Sequence, residues 1–467
     1  MKNKNRPARK PAARKSPRDA PALAGNPRLA AFLALKEPGR DRSPEESLAR
    51  HGLLLSPRDL ALATAMVYEV LRHRAYLNWL LKSRLSAGRT EAEVALVLEL
   101  GLAQLLYFDR LGEHAAVSET VALAKAVIPG RHGLVNAVLR GLLRDRAGGL
   151  AWPPRPPVSG DSARDLALAH SYPPWLVRRL VGQLGPEESA ALLAAGNRPT
   201  PPTLRINPTR ISREELKARL PFPSEETPLS PWGLAAAGFA GRPLDWPGYA
   251  EGFFAIQDEA SQLIGLLSGP LPPGAAVLDA CAGLGGKALH LAALNPRATI
   301  TARDRDPAKL ELLEREISRL GLNNLRTESA DLLESRPVAE KFDLVLVDAP
   351  CSGLGVIRRR PDLKWNKNED DLSRLAELQL SLLEKAAGLV KAGGRLIYGV
   401  CSFSREEGPE AAEKFLAGQP DFAPLETESW PEKLRPWLSP AGHLTLWPHR
   451  QHCDGFFWAV FVRRSRP

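Results

Sequence analysis

From about Leu266 onward the chain alternates apolar runs of strand length with helical stretches, and no other feature limits its fold as strongly. The runs are AAVLDA, ATITARD, FDLVLVDAP and RLIYGV. Between them, PAKLELLEREISRL repeats its leucines and isoleucine at three- and four-residue spacing. Strands that alternate with helices of this length build a doubly wound parallel sheet, here over 266–467. HLTLWP and GFFWAVFVRR follow with no crossover helix between them, so an antiparallel pair is expected to close the domain.

Two further blocks precede this one, as 467 residues allow. Over 25–146 the pattern is helical throughout (LAAFLAL, LALATAMVYEVLRHRAYLNWLL, AEVALVLELGLAQLLYF, AAVSETVALAKAV, GLVNAVLRGLLR), with apolar spacing such as Leu80, Leu81 and Leu85 that suits an all-α bundle. A Pro-rich stretch over 147–164 reads as a linker. Residues 165–265 mix helix (PPWLVRRLVGQL, EESAALLAAG) with short strands such as TLRIN, a small α+β unit. The net charge of +10 is concentrated at the start: residues 1–19 hold eight basic side chains against Asp19 alone. A basic arm without apolar periodicity, taken as 1–24, is expected to be disordered and attracted to polyanions. No run is apolar and long enough to span a bilayer, and the charged start lacks the apolar stretch of a secretory signal. Four cysteines without a CxxC pair argue against a disulfide framework or structural zinc, so no metal is expected and a cytoplasmic location is.

The first strand of the sheet runs into CAGLGGKALHLAAL, a glycine-rich turn opening a helix. Gly283, Gly285 and Gly286 let the backbone approach a ligand, and the helix N-terminus offers free N–H groups. Asp304 ends the next strand, 21 residues after Gly283, where an acid takes ribose hydroxyls in dinucleotide folds. A phosphate loop is excluded because Cys281 stands where it needs glycine. The turn alone fits a nicotinamide dehydrogenase and a methyltransferase about equally.

Two cysteines separate these readings. FDLVLVD leads into Asp348-Ala349-Pro350-Cys351-Ser352, and RLIYGV into Cys401-Ser402. Ligands in an open α/β sheet bind beyond the carboxyl ends of strands, so both thiols belong on the ligand's rim. Dehydrogenase chemistry needs neither. Methylation of cytosine at carbon 5 needs a thiol, because that ring carbon attacks a methyl sulfonium only after a nucleophile has added at carbon 6. The thiolate is the reactive form, and a nearby cation would favour it; Lys287 and the run Arg358–Arg360 are candidates. Asp348, at its strand tip, is expected to hydrogen-bond the base edge.

At these residues the chain resembles the bacterial 16S ribosomal RNA cytosine-C5 methyltransferases of the Sun/Fmu type, within the Nop2/Sun family. QDEAS (257–261), DACAGLGGK (279–287), SADLLE around Asp331, DAPCSGLGVIRRRPDLKW (348–365) and the closing DGFFWAVFVR carry the resemblance. It implies S-adenosylmethionine as cofactor, contacted by Cys281, Ala282, Gly283, Leu284, Gly285, Gly286, Lys287, Asp304, Asp331 and Asp348. It also implies Cys401 as nucleophile and Cys351 as the residue that helps release the product. The helical block resembles a NusB-like RNA-binding domain, the middle block an RNA-recognition-like domain, and the last a Rossmann-like methyltransferase domain. The chain departs from the family at Gly283-Leu284, usually Ala-Pro, and at Val400, usually Thr.

The implied partner is 16S ribosomal RNA, with a monomeric enzyme. The target cytosine must be unpaired or flipped to reach such a pocket. Arg358, Arg359, Arg360, Lys364 and Trp365 are expected to form a basic loop for the RNA backbone, its aromatic stacking on a base. Arg72, His73 and Arg74 are expected to act similarly on the helical block. Alternatives are methylation of a transfer RNA or 23S RNA cytosine by the same chemistry, a DNA cytosine methyltransferase, or a non-catalytic antitermination-type RNA-binding factor.

Overall fold

The computed structural model describes residues 25–37, 43–85, 91–237, 242–334 and 341–465; the expected tail at 1–24 lies outside them. The chain divides into two units, Met1–Arg155 and Pro156–Pro467.

Among the described residues of the first unit, six helices run Pro27–Lys36, Pro44–His51, Pro57–Lys82, Ala92–Tyr107, Glu113–Val127 and His132–Ala147. The first three each begin with proline behind a cap, Asn26, Ser43 or Ser56, whose side chain takes a backbone N–H that the first turn leaves unpaired. Their apolar faces meet in a core where Met66, Val67, Leu98, Leu100, Val135 and Leu139 are fully buried. Ser83 Oγ donates back to the Leu80 carbonyl at 2.9 Å, and the long helix ends there. Leu85, expected on its apolar face, therefore lies outside it. The basic face expected at 72–74 is corrected as well. Arg72 is buried beside Glu69, His73 stacks on Tyr107 at 4.0 Å, and Arg74 Nε lies 3.4 Å from Glu99. All three side chains are engaged within the bundle.

The second unit holds two sheets. The smaller is antiparallel, in the order β2-β3-β1-β4, with β1 Thr203–Ile206, β2 Ser224–Glu226, β3 Gly233–Ala236 and β4 Phe254–Ile256. The larger comprises β5 Ala276–Asp279, β6 Thr299–Asp304, β7 Leu325–Ser329, β8 Phe342–Asp348, β9 Val390–Val400, β10 Phe422–Pro424, β11 His443–Leu446 and β12 Phe456–Arg463. Its order is β10-β12-β9-β8-β5-β6-β7, with β11 also on β12. β5 to β9 pair in parallel, as the alternation of runs predicts. β12 lies antiparallel to β9 and β11, the expected closing pair. The central stretches of β5, β8 and β9, such as Leu344–Val347 and Leu396–Val400, are buried and apolar, as strands covered on both faces are.

The middle block does not stand apart from the catalytic one. Leu176, Leu180 and Leu192, from helices Pro174–Leu184 and Pro186–Gly196, share a core with Leu354, Ile357, Phe403 and Trp447. The first helix of this unit, Ser162–Ala169, starts inside the expected linker. Tyr76 Oη donates to the Pro154 carbonyl at 2.6 Å, so the linker's first part packs with the helical unit.

Candidate active site

The chain order of the large sheet reverses between β5 and β8: β6 and β7 extend one way, β9 the other. A crevice opens where connections leave neighbouring strands in opposite directions. Cys281 follows β5, Cys351 follows β8 and Cys401 follows β9, so the fold gathers all three beside it.

The glycine turn is tied to its neighbours by backbone. Gly283 and Gly285 take φ of +55° and +78°, conformations that glycine adopts without strain. A Cβ on Gly283 would meet nothing within 4 Å, so the turn faces open space there; one on Gly285 would lie 2.2 Å from Leu313 Cδ1. Gly283 N–H donates to Asp304 Oδ2 at 2.8 Å, and Asp306 N–H to Asp304 Oδ1 at 2.9 Å. Leu284 is exposed. Asp331 accepts from Leu333 N–H at 2.9 Å. Lys287 Nζ lies 2.5 Å from Asp348 Oδ2, over the rings of Phe456 and Trp458.

Four carboxylates make this crevice electronegative. Burial, then Asp279, Asp348, Asp304 and Asp331, push the half-buried Cys281 thiol up. Asp279 is 1% exposed, and its Oδ1 has no hydrogen-bond partner. Burial, followed by repulsion from Asp348, raises its pKa to about 7. Its unfolded value is near 3.8, so between these limits the folded protein holds the extra proton. This group's contribution to stability is full below about pH 4 and is lost as pH rises through about 7. Asp279→Asn is therefore expected to raise the melting temperature of the ligand-free protein at pH 8 and to change it little at pH 4.5. Parallel melts of both proteins check this, and an equal shift at the two pH values would refute it.

Across the crevice, Cys351 Sγ and Cys401 Sγ stand 3.1 Å apart, both part-buried and both reduced. Contact with Cys401, then burial and the charges of Glu407 and Asp348, push the Cys351 thiol well above the ordinary value. Cys351 is thus held as S–H. Val400 is fully buried in the core with Ala411 and Phe457, where a methyl fits and a hydroxyl would need a partner.

The arginine run departs from expectation. Arg358 is buried: its Nη2 lies 3.0 Å from Asp258 Oδ2, its Nε bonds Asp454, and its Nη1 donates to the His452 carbonyl. Arg359 bonds the same two acids, at 2.8 and 3.0 Å. Lys364 is 1% exposed, its Nζ on the Ser171 carbonyl and on Asn197 Oδ1 and 3.6 Å above the Tyr172 ring. These three charges are spent inside the protein, which corrects the expected open basic loop and the arginine source of a positive field. Arg360, paired with Asp362 at 3.0 Å, and Trp365 stay partly exposed.

One residue escaped sequence reasoning. Glu407 lies six residues after Cys401, fully buried, and accepts hydrogen bonds from both cysteine loops. A glutamate among Arg405, Glu406 and Glu410 carries no signal of burial. Among the described residues, no group of His, Cys, Asp and Glu could hold a metal ion, and no helix is long and apolar enough to cross a membrane.

Comparison with known proteins extends this description. Residues 270–462 match the family described as 16S rRNA methyltransferase RsmB/F, 26–144 the NusB family, and 172–234 the RsmF/B-like ferredoxin-like domain. A Bacillus subtilis protein named "Probable ribosomal RNA small subunit methyltransferase B" is 35% identical over 417 residues, 86% of this chain and 90% of its own. Ribosomal RNA small subunit methyltransferase B of Klebsiella pneumoniae is 34% identical, over 88% and 91%. The crystal structure of a methyltransferase homologue from Pyrococcus horikoshii superposes with a TM-score of 0.56 at 27% identity, covering 65% of this chain and all but 1% of that one. With the helical, ferredoxin-like and mixed-sheet domains in this order and identity sustained over most of its length, the chain belongs to the RsmB/F family of 16S rRNA methyltransferases.

Proposed function

We propose that this protein transfers a methyl group from S-adenosylmethionine to carbon 5 of a cytosine in 16S ribosomal RNA, through a covalent bond between Cys401 and the base. The observation that carries the reading is the pair of reduced thiols 3.1 Å apart beside the glycine turn. The residues present fit the cofactor. The open face at Gly283 lets a ligand approach the turn, and the unpartnered Asp279 oxygen amid Asp304, Asp331 and Asp348 suits a ligand with cationic and hydroxyl groups. Gly283–Lys287, Asp304, Asp331 and Asp348 would hold it. When bound, it supplies an electrophilic methyl.

The protein's own groups do the rest. The Cys401 thiol gives up its proton to solvent, the thiolate adds to carbon 6 of the flipped cytosine, and carbon 5 then gains electron density to attack the methyl. Asp348, steadied by Lys287, orients the base. Loss of the proton from carbon 5 re-forms the ring double bond and expels the Cys401 sulfur. The Cys351 S–H donates to that departing sulfur, and the proton shed by the ring restores it. In this reading Arg360 and Trp365, which stay partly exposed, touch the RNA beside the target.

Without the Cys351 proton, release is slow. Cys351→Ala incubated with 16S RNA and S-adenosylmethionine is expected to accumulate a protein–RNA adduct, a retarded band on a denaturing gel. The Cys401 variant should form none. A band from the Cys401 variant and none from the Cys351 variant would reverse the two roles.

A further inference from the structure

Each thiol sits on a connection after a strand, and such connections move unless something holds them. Here one side chain holds both. Glu407 is fully buried, and its Oε1 accepts from Ser352 N–H at 2.7 Å and from Gln379 Nε2 at 3.1 Å. Its Oε2 accepts from Ser402 Oγ at 2.6 Å, Ser404 Oγ at 3.1 Å and Ser352 Oγ. Ser352 and Ser402 directly follow Cys351 and Cys401, and their own hydroxyls lie 3.1 Å apart. Every donor is neutral, so what the carboxylate gains is a set of fixed directions rather than an ion pair. The backing is rigid too: Gln379 Nε2 also donates to the Pro350 carbonyl at 2.9 Å, and Tyr398 Oη donates to Gln379 Oε1 at 3.1 Å.

We propose that Glu407 is the positioning residue of the active site, a single buried carboxylate that fixes the Cys351 and Cys401 loops in register and so sets the spacing of the two sulfurs. The proposal deepens the covalent-cysteine reading and rests on it for its effect on turnover. Its effect on geometry stands apart from that reading. With two acceptor oxygens, one carboxylate can bind a donor from each loop at once. Alanine removes both, whereas glutamine keeps one oxygen and offers an N–H to a hydroxyl that can rotate to accept it.

The test reads geometry without RNA. Diamide takes two thiol hydrogens onto its azo nitrogens and leaves a disulfide, for which the sulfurs need close only by about 1 Å. In the full-length protein the Cys351–Cys401 disulfide, identified by peptide mass mapping, should form quickly. Glu407→Ala is expected to slow it about tenfold, with Glu407→Gln in between, because loops free to wander lose their near-attack geometry. On the same ground, kcat should fall by about 100-fold in Glu407→Ala while KM for both substrates stays within about threefold. If Glu407→Ala fails to melt cooperatively, Ser352→Ala/Ser402→Ala carries the same test. A folded variant that forms the disulfide at the wild-type rate overturns the proposal, whatever its activity. Failure of the Cys351→Ala adduct would instead count against the covalent reading, and the diamide rate would still decide the role of Glu407.

Discussion

Replacing Cys401 with serine is expected to lower methyl transfer by at least about 10^4-fold, the scale of losing an enzyme nucleophile, and to leave cofactor binding intact. Serine keeps the shape of the loop after β9 and its neighbour Ser402 keeps the bond to Glu407, so the fold has no reason to change. In the proposed reaction, what changes is the nucleophile. A thiol ionises several pH units more readily than a hydroxyl and attacks carbon 6 as an anion. Its neighbour Cys351 is pushed toward the protonated form and so offers a serine no base. Transfer of a labelled methyl to 16S RNA measures the first effect, and titration calorimetry with S-adenosylmethionine the second. Transfer within tenfold of the wild type would end the covalent reading. Loss of cofactor binding would mean that the thiol is part of the cofactor pocket.

The second large effect concerns stability. Asp258, Arg358, Arg359 and Asp454 form a buried cluster in which Asp454 N–H also donates to Asp258 Oδ1 at 2.9 Å. Burial alone would raise Asp258; Arg359 and Arg358 overcome it and hold its carboxyl below the ordinary value. Burial and the repulsion from Asp258 push Asp454 up to about 6. Arg358→Ala strips two buried acids of a shared partner, and removal of one member of such a pair costs about 3–5 kcal/mol. Arg359 is more exposed, 26% against 6% for Arg358, so Arg359→Ala should cost less. The Arg358→Ala penalty should also shrink at pH 5, where Asp454 escapes its unpaired charge by taking up a proton. Because the chain has two units, urea unfolding should be followed by peptide-resolved hydrogen exchange, which reads the second unit's transition separately. An unchanged midpoint at pH 8 would show that the cluster does not hold this region together.

Much of the fold was legible because it is written in short-range periodicity. The strand-length runs and the period of PAKLELLEREISRL became β5, β6, β8, β9 and the helix Pro307–Leu320. The same logic placed the cysteines: a cysteine directly after a parallel strand must stand at its carboxyl end. What failed was the reading of charge. Arg358–Arg360 and Lys364 look like a solvated basic loop in one dimension, since an arginine's neighbours in sequence do not reveal its partners in space. Asp258 and Asp454 lie 100 and 96 residues from Arg358. Nor does the linker composition reveal that helix Ser162–Ala169 begins within it.

The sequence by itself determined that a thiol would follow β8 and another β9, because alternation fixes strands and strands fix the positions of their ends. It did not determine that the two sulfurs would meet at 3.1 Å. That spacing follows from the order in which strands assemble and from Glu407, whose carboxylate finds both serine hydroxyls only when β8 and β9 lie side by side. A buried carboxylate must satisfy its lone pairs with whatever donors the fold brings to it, and only the tertiary structure decides which those are.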